Sequence, residues 1–334
     1  MTEPENRAKL VQLVFGGMAA QVVGAAARLD IADHLGEDAR TPAELATACA
    51  ADETAMRRLM RALAALGVCT ENPEDTFALT PAGALLRRDV PGSMHALTTL
   101  FTDETIVGAW RHLDHAVRDG RTVFTDVFGT DIYRHLKARP ELSATFNAAM
   151  SQGTRLTAQV MPAHYPFERF GTLADIGGGD GTLLAGVLAA HPTLRGILFD
   201  TEEGLAQAPP NDRITQHTGD FFEELPAGAD LYLIKSVLHN WDDDRCAAIL
   251  ANCRRVIPGQ GRLLIVEPVL PETVDGSLPN TMYLSDLNML VNLGGRERTM
   301  ADFDKLCRRT GFAVSDVIPL PPPAAFSLIE ATPA

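Results

Sequence analysis

The chain is expected to be α/β. A Rossmann-like sheet, mostly parallel with an antiparallel last strand, follows an N-terminal winged-helix domain that is all-helical apart from its hairpin. Three observations predict this. From residue 172 onward, short apolar runs ending in an acid or a lysine alternate with helical patterns, the signature of βα units. The first unit, Leu173-Ala174-Asp175-Ile176-Gly177-Gly178-Gly179-Asp180-Gly181-Thr182, reads as strand, glycine-rich turn and helix. The first third reads instead as helices followed by one short hairpin. At 334 residues with 46% hydrophobic residues, the chain has length and apolar content for two domains.

The N-terminal elements follow from local chemistry. From Lys9 to about Leu35 apolar residues occupy nearly every helical face, so the segment requires cover on several sides, a second subunit included. Its interruption by Gln21, Arg28 and Asp30 argues against a membrane span. Thr41-Pro42-Ala43-Glu44 has the cap, first-turn proline and acid that start a helix. Asp52 caps a second helix, from Glu53 to Leu66, which Gly67 closes. Val68-Cys69-Thr70 and Phe77-Ala78-Leu79-Thr80 flank the turn Asn72-Pro73-Glu74-Asp75. This shape raises DNA binding, with Arg57, Arg58 and Arg61 on the second helix to meet phosphates. Neighbouring Asp52, Glu53, Glu71, Glu74 and Asp75, and a net charge of −14, oppose it. The same charge disfavours anionic membranes. Five cysteines without a C-x-x-C pair, and no basic, apolar leader, predict reduced, packed thiols in a cytoplasmic protein.

A helical connector follows, over 101–168 between domains at 1–100 and 169–334. His112 and His115 stand one turn apart, but no matching ligand set accompanies them, and no metal is expected. Trp110, Phe146, Met150, Asn288 and Met289 are candidates for the wall of a substrate pocket.

The glycine turn carries the strongest chemical signal. Its spacing, G-x-G-x-G at 177, 179 and 181, differs from the dinucleotide fingerprint G-x-G-x-x-G. Asp175, two residues before the first glycine, would repel a pyrophosphate but suits a cationic amino group. The next strand ends in Asp200, an acid placed for ribose hydroxyls. S-adenosylmethionine satisfies both acids, whereas NAD satisfies one. Asp220 and Phe221 end a third strand and can hydrogen-bond and stack an adenine. The strand 229–234 runs through Lys235 into His239, which falls on the loop above the sheet edge. Asp242, Asp243 and Asp244 resemble a metal site, but at the first turn of the following helix capping of free N–H groups is the favoured role. Glu267 ends a fifth strand and Glu297 precedes the helix near 301.

With DIGGGDGTLL at 175–184, LFD at 198–200, GDFF at 219–222, LIKSVLHNWD at 233–242, IVEPVLP at 265–271 and GGRERT at 294–299, the chain resembles the S-adenosylmethionine-dependent O-methyltransferases of plant phenylpropanoid type and their bacterial natural-product branch. The resemblance runs the full length and includes Phe146-Asn147-Ala148-Ala149-Met150. It implies that His239 is the general base, with Glu267 and Glu297 flanking its ring. It implies that Gly177, Asp200, Asp220, Phe221 and Lys235 bind the cofactor, with Asp175, Gly179 and Gly181 completing that site. The winged helix would then make a homodimer rather than read nucleic acid, and the acceptor would be a small hydroxylated aromatic. Asn240 departs from the Asp usual in the plant enzymes. Proteins of the same fold that bind the cofactor without passing on its methyl would share the cofactor motifs; His239, Glu267 and Glu297 favour transfer. A ligand-sensing winged-helix regulator and an NAD dehydrogenase fit less of the pattern.

Overall fold

A computed structural model describes residues 2–334 of the chain. Two compact units emerge. The first comprises residues up to Val107 together with Ala144–Gln152; the second comprises Gly108–Ser143 and Gly153–Ala334. The stretch 101–168 is thus shared between them.

In the first unit the helix Glu3–Arg28 leads into Ile31–Leu35, Pro42–Ala48 and Glu53–Ala65. Thr41 and Glu44 form the expected capping box, and Asp52 accepts from the Ala55 N–H. Strands β1 (Cys69–Asn72) and β2 (Thr76–Leu79) pair antiparallel as the wing. Leu45, Met60, Leu63 and Phe77 pack a small core. Only the C-terminal end of the first helix is buried within the chain. Leu10, Val14 and Met18, spaced at one helical turn, are 64%, 76% and 66% exposed. By length and composition this helix could cross a membrane. Two of the three arginines on the helix Glu53–Ala65 are paired: Arg57 with Asp75 and Glu53, and Arg61 with Glu71 at 3.0 Å.

The second unit is built on seven strands. These are β3 (Thr172–Ile176), β4 (Arg195–Asp200), β5 (Ile214–Thr218), β6 (Leu231–Lys235), β7 (Arg262–Glu267), β10 (Phe312–Pro319) and β11 (Ser327–Pro333), in the spatial order β10-β11-β7-β6-β3-β4-β5. Strands β8 (Val269–Leu270) and β9 (Arg298–Thr299) form a separate parallel pair. Strands β3 to β7 are mutually parallel, and β11 enters antiparallel between β7 and β10. Both sheet faces are buried, as in other parallel sheets. Successive residues of β6 alternate between two cores, Leu231 and Leu233 on one side, Tyr232 and Ile234 on the other. The register pairs Ile176 with Phe199 and Ile234, so β3, β4 and β6 end at one edge. That edge gathers the glycine turn, Asp200, Lys235 and Glu267.

All five cysteines are free; Cys69, Cys246, Cys253 and Cys307 are buried, and burial raises their thiol pKa values. His112 and His115 are exposed.

Candidate active site

The turn after β3 has the backbone that its glycines foretell. Gly177, Gly179 and Gly181 have φ of +72°, +58° and +77°, a left-handed region costly for any residue with a Cβ. A Cβ at Gly177 would lie 2.7 Å from Val237 and 3.8 Å from the Phe221 ring. The turn therefore abuts both the loop after β6 and the aromatic after β5. At Gly179 nothing lies within 4 Å of that position, so this side of the peptide stays open to a ligand.

Asp175 is 2% exposed, and its Oδ2 has no hydrogen-bond partner. Burial pushes its carboxyl up to about 7, against the pull of the Lys235 charge. A buried, unpartnered acid beside an open glycine turn fits a ligand that brings a cation. Asp200 accepts from the Gly179 N–H at 2.8 Å through Oδ2 and from the Thr201 N–H at 2.7 Å through Oδ1. Burial raises its pKa too. Lys235 Nζ donates to Thr154 Oγ1 at 3.3 Å and Ser236 Oγ at 3.0 Å and sits 4.6 Å from the Phe326 ring centre. Desolvation brings it down to about 8, despite the charges of Glu267 and Asp175. Asp220 is exposed and accepts from the Phe222 N–H at 2.8 Å.

His239 lies on a short 3-10 turn after β6, entered through Ser236, a non-glycine residue at φ +54°. Backbone strain of this kind persists only where surrounding structure over-determines it. Here Glu267 Oε1 receives the N–H groups of Val237, Leu238 and His239 at 3.1, 3.0 and 3.4 Å. From the other side Arg298, 1% exposed, donates to Leu238 O at 2.8 Å and Trp241 O at 2.9 Å, and pairs with Asp243 at 2.8 Å. The loop is clamped between a carboxylate on its donors and a guanidinium on its acceptors.

The imidazole is only 15% exposed. Its Nδ1 lies 3.0 Å from Glu297 Oε1 and 3.7 Å from Glu267 Oε2. Glu297 is held in turn by Ser285 Oγ at 2.9 Å, while its own N–H donates to Asp286 at 2.8 Å. A carboxylate at Nδ1 fixes that proton in place and leaves the Nε2 lone pair as the acceptor. Burial lowers the His239 pKa, but the Glu267 charge and the Glu297 hydrogen bond outweigh it, so the net direction is upward. His239, Glu267 and Glu297 lie close enough to share a cation. However, Glu267 Oε1 is already spent on three N–H groups.

The expected pocket residues divide. In the second unit Trp110 Nε1 donates to Asn288 Oδ1 at 2.9 Å, and Met289 is 7% exposed. Phe146, half-buried, and Met150, 39% exposed, belong to the first unit. Of the three aspartates expected to cap the helix Asp243–Val256, only Asp242 does so, accepting from the Arg245 N–H at 2.8 Å. Asp243 serves Arg298 and Arg296, and Asp244 serves Arg309.

Sequence reasoning assigned no role to Arg298 or Gly295, although both lie in the quoted GGRERT stretch. A Cβ on Gly295 would stand 2.0 Å from His239 O and 2.5 Å from the Asn240 carbonyl carbon. Only glycine lets the two loops approach this closely. Ser285 and Asp286 carried no signal beyond ordinary helix polarity.

Residues 110–313 match the O-methyltransferase domain family, and residues 11–89 match the O-methyltransferase dimerisation domain. The chain belongs to the O-methyltransferase family. It is 46% identical to O-demethylpuromycin-O-methyltransferase of Streptomyces alboniger, over 97% of this chain and 89% of that protein. It is 39% identical to a phenazine O-methyltransferase of Lysobacter antibioticus, over 97% and 95%. The crystal structure of CalO1, a methyltransferase in calicheamicin biosynthesis in its S-adenosylhomocysteine-bound form, superposes with a TM-score of 0.85 at 34% identity, covering all of both chains. The enzyme is accordingly an S-adenosylmethionine-dependent O-methyltransferase, and Asp175, Asp200 and the open glycine turn suit that cofactor's amino and ribose groups.

Proposed function

We propose that this O-methyltransferase methylates a phenolic hydroxyl of a small aromatic secondary metabolite, with His239 as general base. The observation that carries the reading is the Glu297–His239 contact at 3.0 Å on a loop clamped beside the glycine turn. The bound cofactor supplies an already activated sulfonium methyl, so the protein's tasks are alignment and removal of one proton. A phenol, at pKa ~10, is a weak nucleophile until its proton is taken, and a neutral imidazole is suited to take it. His239 Nε2 accepts the proton; Glu297 and Glu267 then face an imidazolium they stabilise. Asp175 would hold the cofactor's amino group, Asp200 its ribose, and Asp220 with Phe221 its adenine. Lys235, Gly177, Gly179 and Gly181 shape the same cleft. Trp110, Asn288 and Met289 of the second unit would line the acceptor site. No resident metal takes part in this scheme.

The exposed apolar stripe of Leu10, Val14 and Met18, inside the dimerisation-domain match, supports a homodimer formed through residues 1–100. Residues 101–168 would then serve the pocket and 169–334 the cofactor. We place the enzyme in the cytoplasm, without nucleic-acid or membrane partners. The names of two relatives, a phenazine O-methyltransferase and a 3-amino-4-hydroxybenzoate 4-O-methyltransferase, support an aromatic acceptor.

The test is transfer of labelled methyl to a panel of mono- and polycyclic phenols by wild type and His239→Gln. Turnover should fall by roughly 10²–10⁴ with cofactor affinity retained. Equal turnover in the variant would reject His239 as the base.

A further inference from the structure

The helix Ile132–Lys137 touches the cofactor edge of the sheet at two separate places, and neither contact belongs to the machinery described above. Its buried side, Ile132, His135 and Leu136, anchors it in the second unit, and the His135 ring packs against Phe124 and Phe128. Asp131 caps it, accepting from the Arg134 N–H at 3.0 Å. Tyr133 and Lys137, one turn apart, share the other face.

Tyr133 stacks on Trp241, with ring centres 5.5 Å apart and planes inclined by 23°. Trp241 lies two residues beyond His239 on the loop after β6, and its ring also meets Phe222 edge-on at 4.9 Å. Lys137 Nζ reaches Glu203 Oε1 at 2.6 Å, on the turn that follows β4 and Asp200. In the sheet β3 lies between β6 and β4, and the glycine turn follows β3. A six-residue helix fastened beyond β6 at one end and beyond β4 at the other therefore crosses above the glycine turn. Tyr133 as a residue is 37% exposed. Burial first, then the charge of Asp200, raise the pKa of its hydroxyl.

We infer that Ile132–Lys137 is a retaining strap across the adenosyl end of the cofactor cleft, and that S-adenosylhomocysteine leaves only when the Tyr133–Trp241 stack and the Lys137–Glu203 pair part. The inference rests on the proposed assignment of Asp200 and the glycine turn to the cofactor. The strap is built to open: so short a helix cannot hold alone, and both fastenings are of modest strength. Because Trp241 shares its loop with His239, opening the strap loosens the base as well, which ties product release to resetting of the site.

The test is the release rate of labelled S-adenosylhomocysteine chased with unlabelled compound, for full-length wild type, Tyr133→Ala, Lys137→Ala and Asp200→Ala. Circular dichroism confirms that each variant is folded. Tyr133→Ala should release roughly twofold to tenfold faster, the range one aromatic pair carries. Lys137→Ala should release about twofold to fivefold faster. Raising salt from about 0.05 to about 0.5 M should speed release from wild type and leave Lys137→Ala little changed, because screening acts on the same ion pair. Tyr133→Phe, which keeps the ring, should release like wild type. Unchanged rates in both Tyr133→Ala and Lys137→Ala, with binding lost in Asp200→Ala, would overturn the strap and leave the cofactor site standing. Undiminished binding in Asp200→Ala would overturn the site assignment itself.

Discussion

Replacing Glu297 with Gln keeps the shape of the side chain and removes its charge, isolating what the carboxylate does for His239. In the wild type Glu297 Oε1 lies 3.0 Å from Nδ1, and Ser285 holds the same oxygen at 2.9 Å. A hydrogen bond to an ionised partner contributes about 1.5–3 kcal/mol, and it strengthens as the ring becomes an imidazolium. Losing it should lower kcat by roughly 10-fold to 150-fold, while KM for S-adenosylmethionine, set by groups beyond this contact, stays within about twofold. The pH profile gives a second readout. The raised His239 pKa keeps the base protonated, and so inactive, to higher pH than a free histidine, and activity climbs as pH rises through that value. A neutral amide in place of the carboxylate no longer favours the imidazolium. The pKa drops, so the acid limb of kcat/KM moves to lower pH although the plateau is lower. Each unit of that drop makes proton transfer from the phenol about 1.36 kcal/mol more uphill. Steady-state kinetics from about pH 5.5 to 9, with stopped-flow single turnovers to exclude slow product release, would measure both effects. An unmoved acid limb together with kcat within about twofold of wild type would refute the coupling of Glu297 to the base.

Arg298→Met should strip the donors from Leu238 O and Trp241 O and destabilise the fold by about 2–5 kcal/mol, the cost of two buried carbonyls left unpaired, seen as an earlier urea midpoint. A midpoint like the wild type's would mean the loop needs no guanidinium. Gly295→Ala forces a Cβ against His239 O; kcat should fall at least roughly tenfold while calorimetry shows normal cofactor affinity, and normal turnover would remove Gly295 from the argument. Asp175, with its carboxyl raised to about 7, holds a proton in the ligand-free folded state that the unfolded chain releases near pH ~4. Ligand-free stability should therefore decline as pH rises across that window. Asp175→Asn should flatten this decline in a melting series and weaken S-adenosylmethionine binding; a parallel decline in both proteins would contradict it. Aspartates at Leu10, Val14 and Met18 together should leave a single chain by light scattering, and a retained dimer would place the subunit contact elsewhere.

What could be read in the residues was chemistry carried by short segments. The turn at 175–182 specifies its conformation locally, because only glycines accept the left-handed φ angles at 177, 179 and 181. Continuous apolar runs and caps at Thr41, Asp52 and Asp242 likewise act within a few residues of themselves. His239, Glu267 and Glu297 stood out as polar residues at strand or helix ends, and the fold brings all three together. The allotment of their bonds was not readable. Glu267 serves three backbone N–H groups more than the ring, and Asp243 leaves its helix cap for Arg298. Arg298 and Gly295 act on a loop far earlier in the chain, and Tyr133 on one far later. Such contacts depend on which strand ends stand side by side. The order of β6, β3 and β4 decides that, and it arises when both sheet faces are buried at once. Local pattern determined the elements and the reactive groups; long-range packing decided which group holds which.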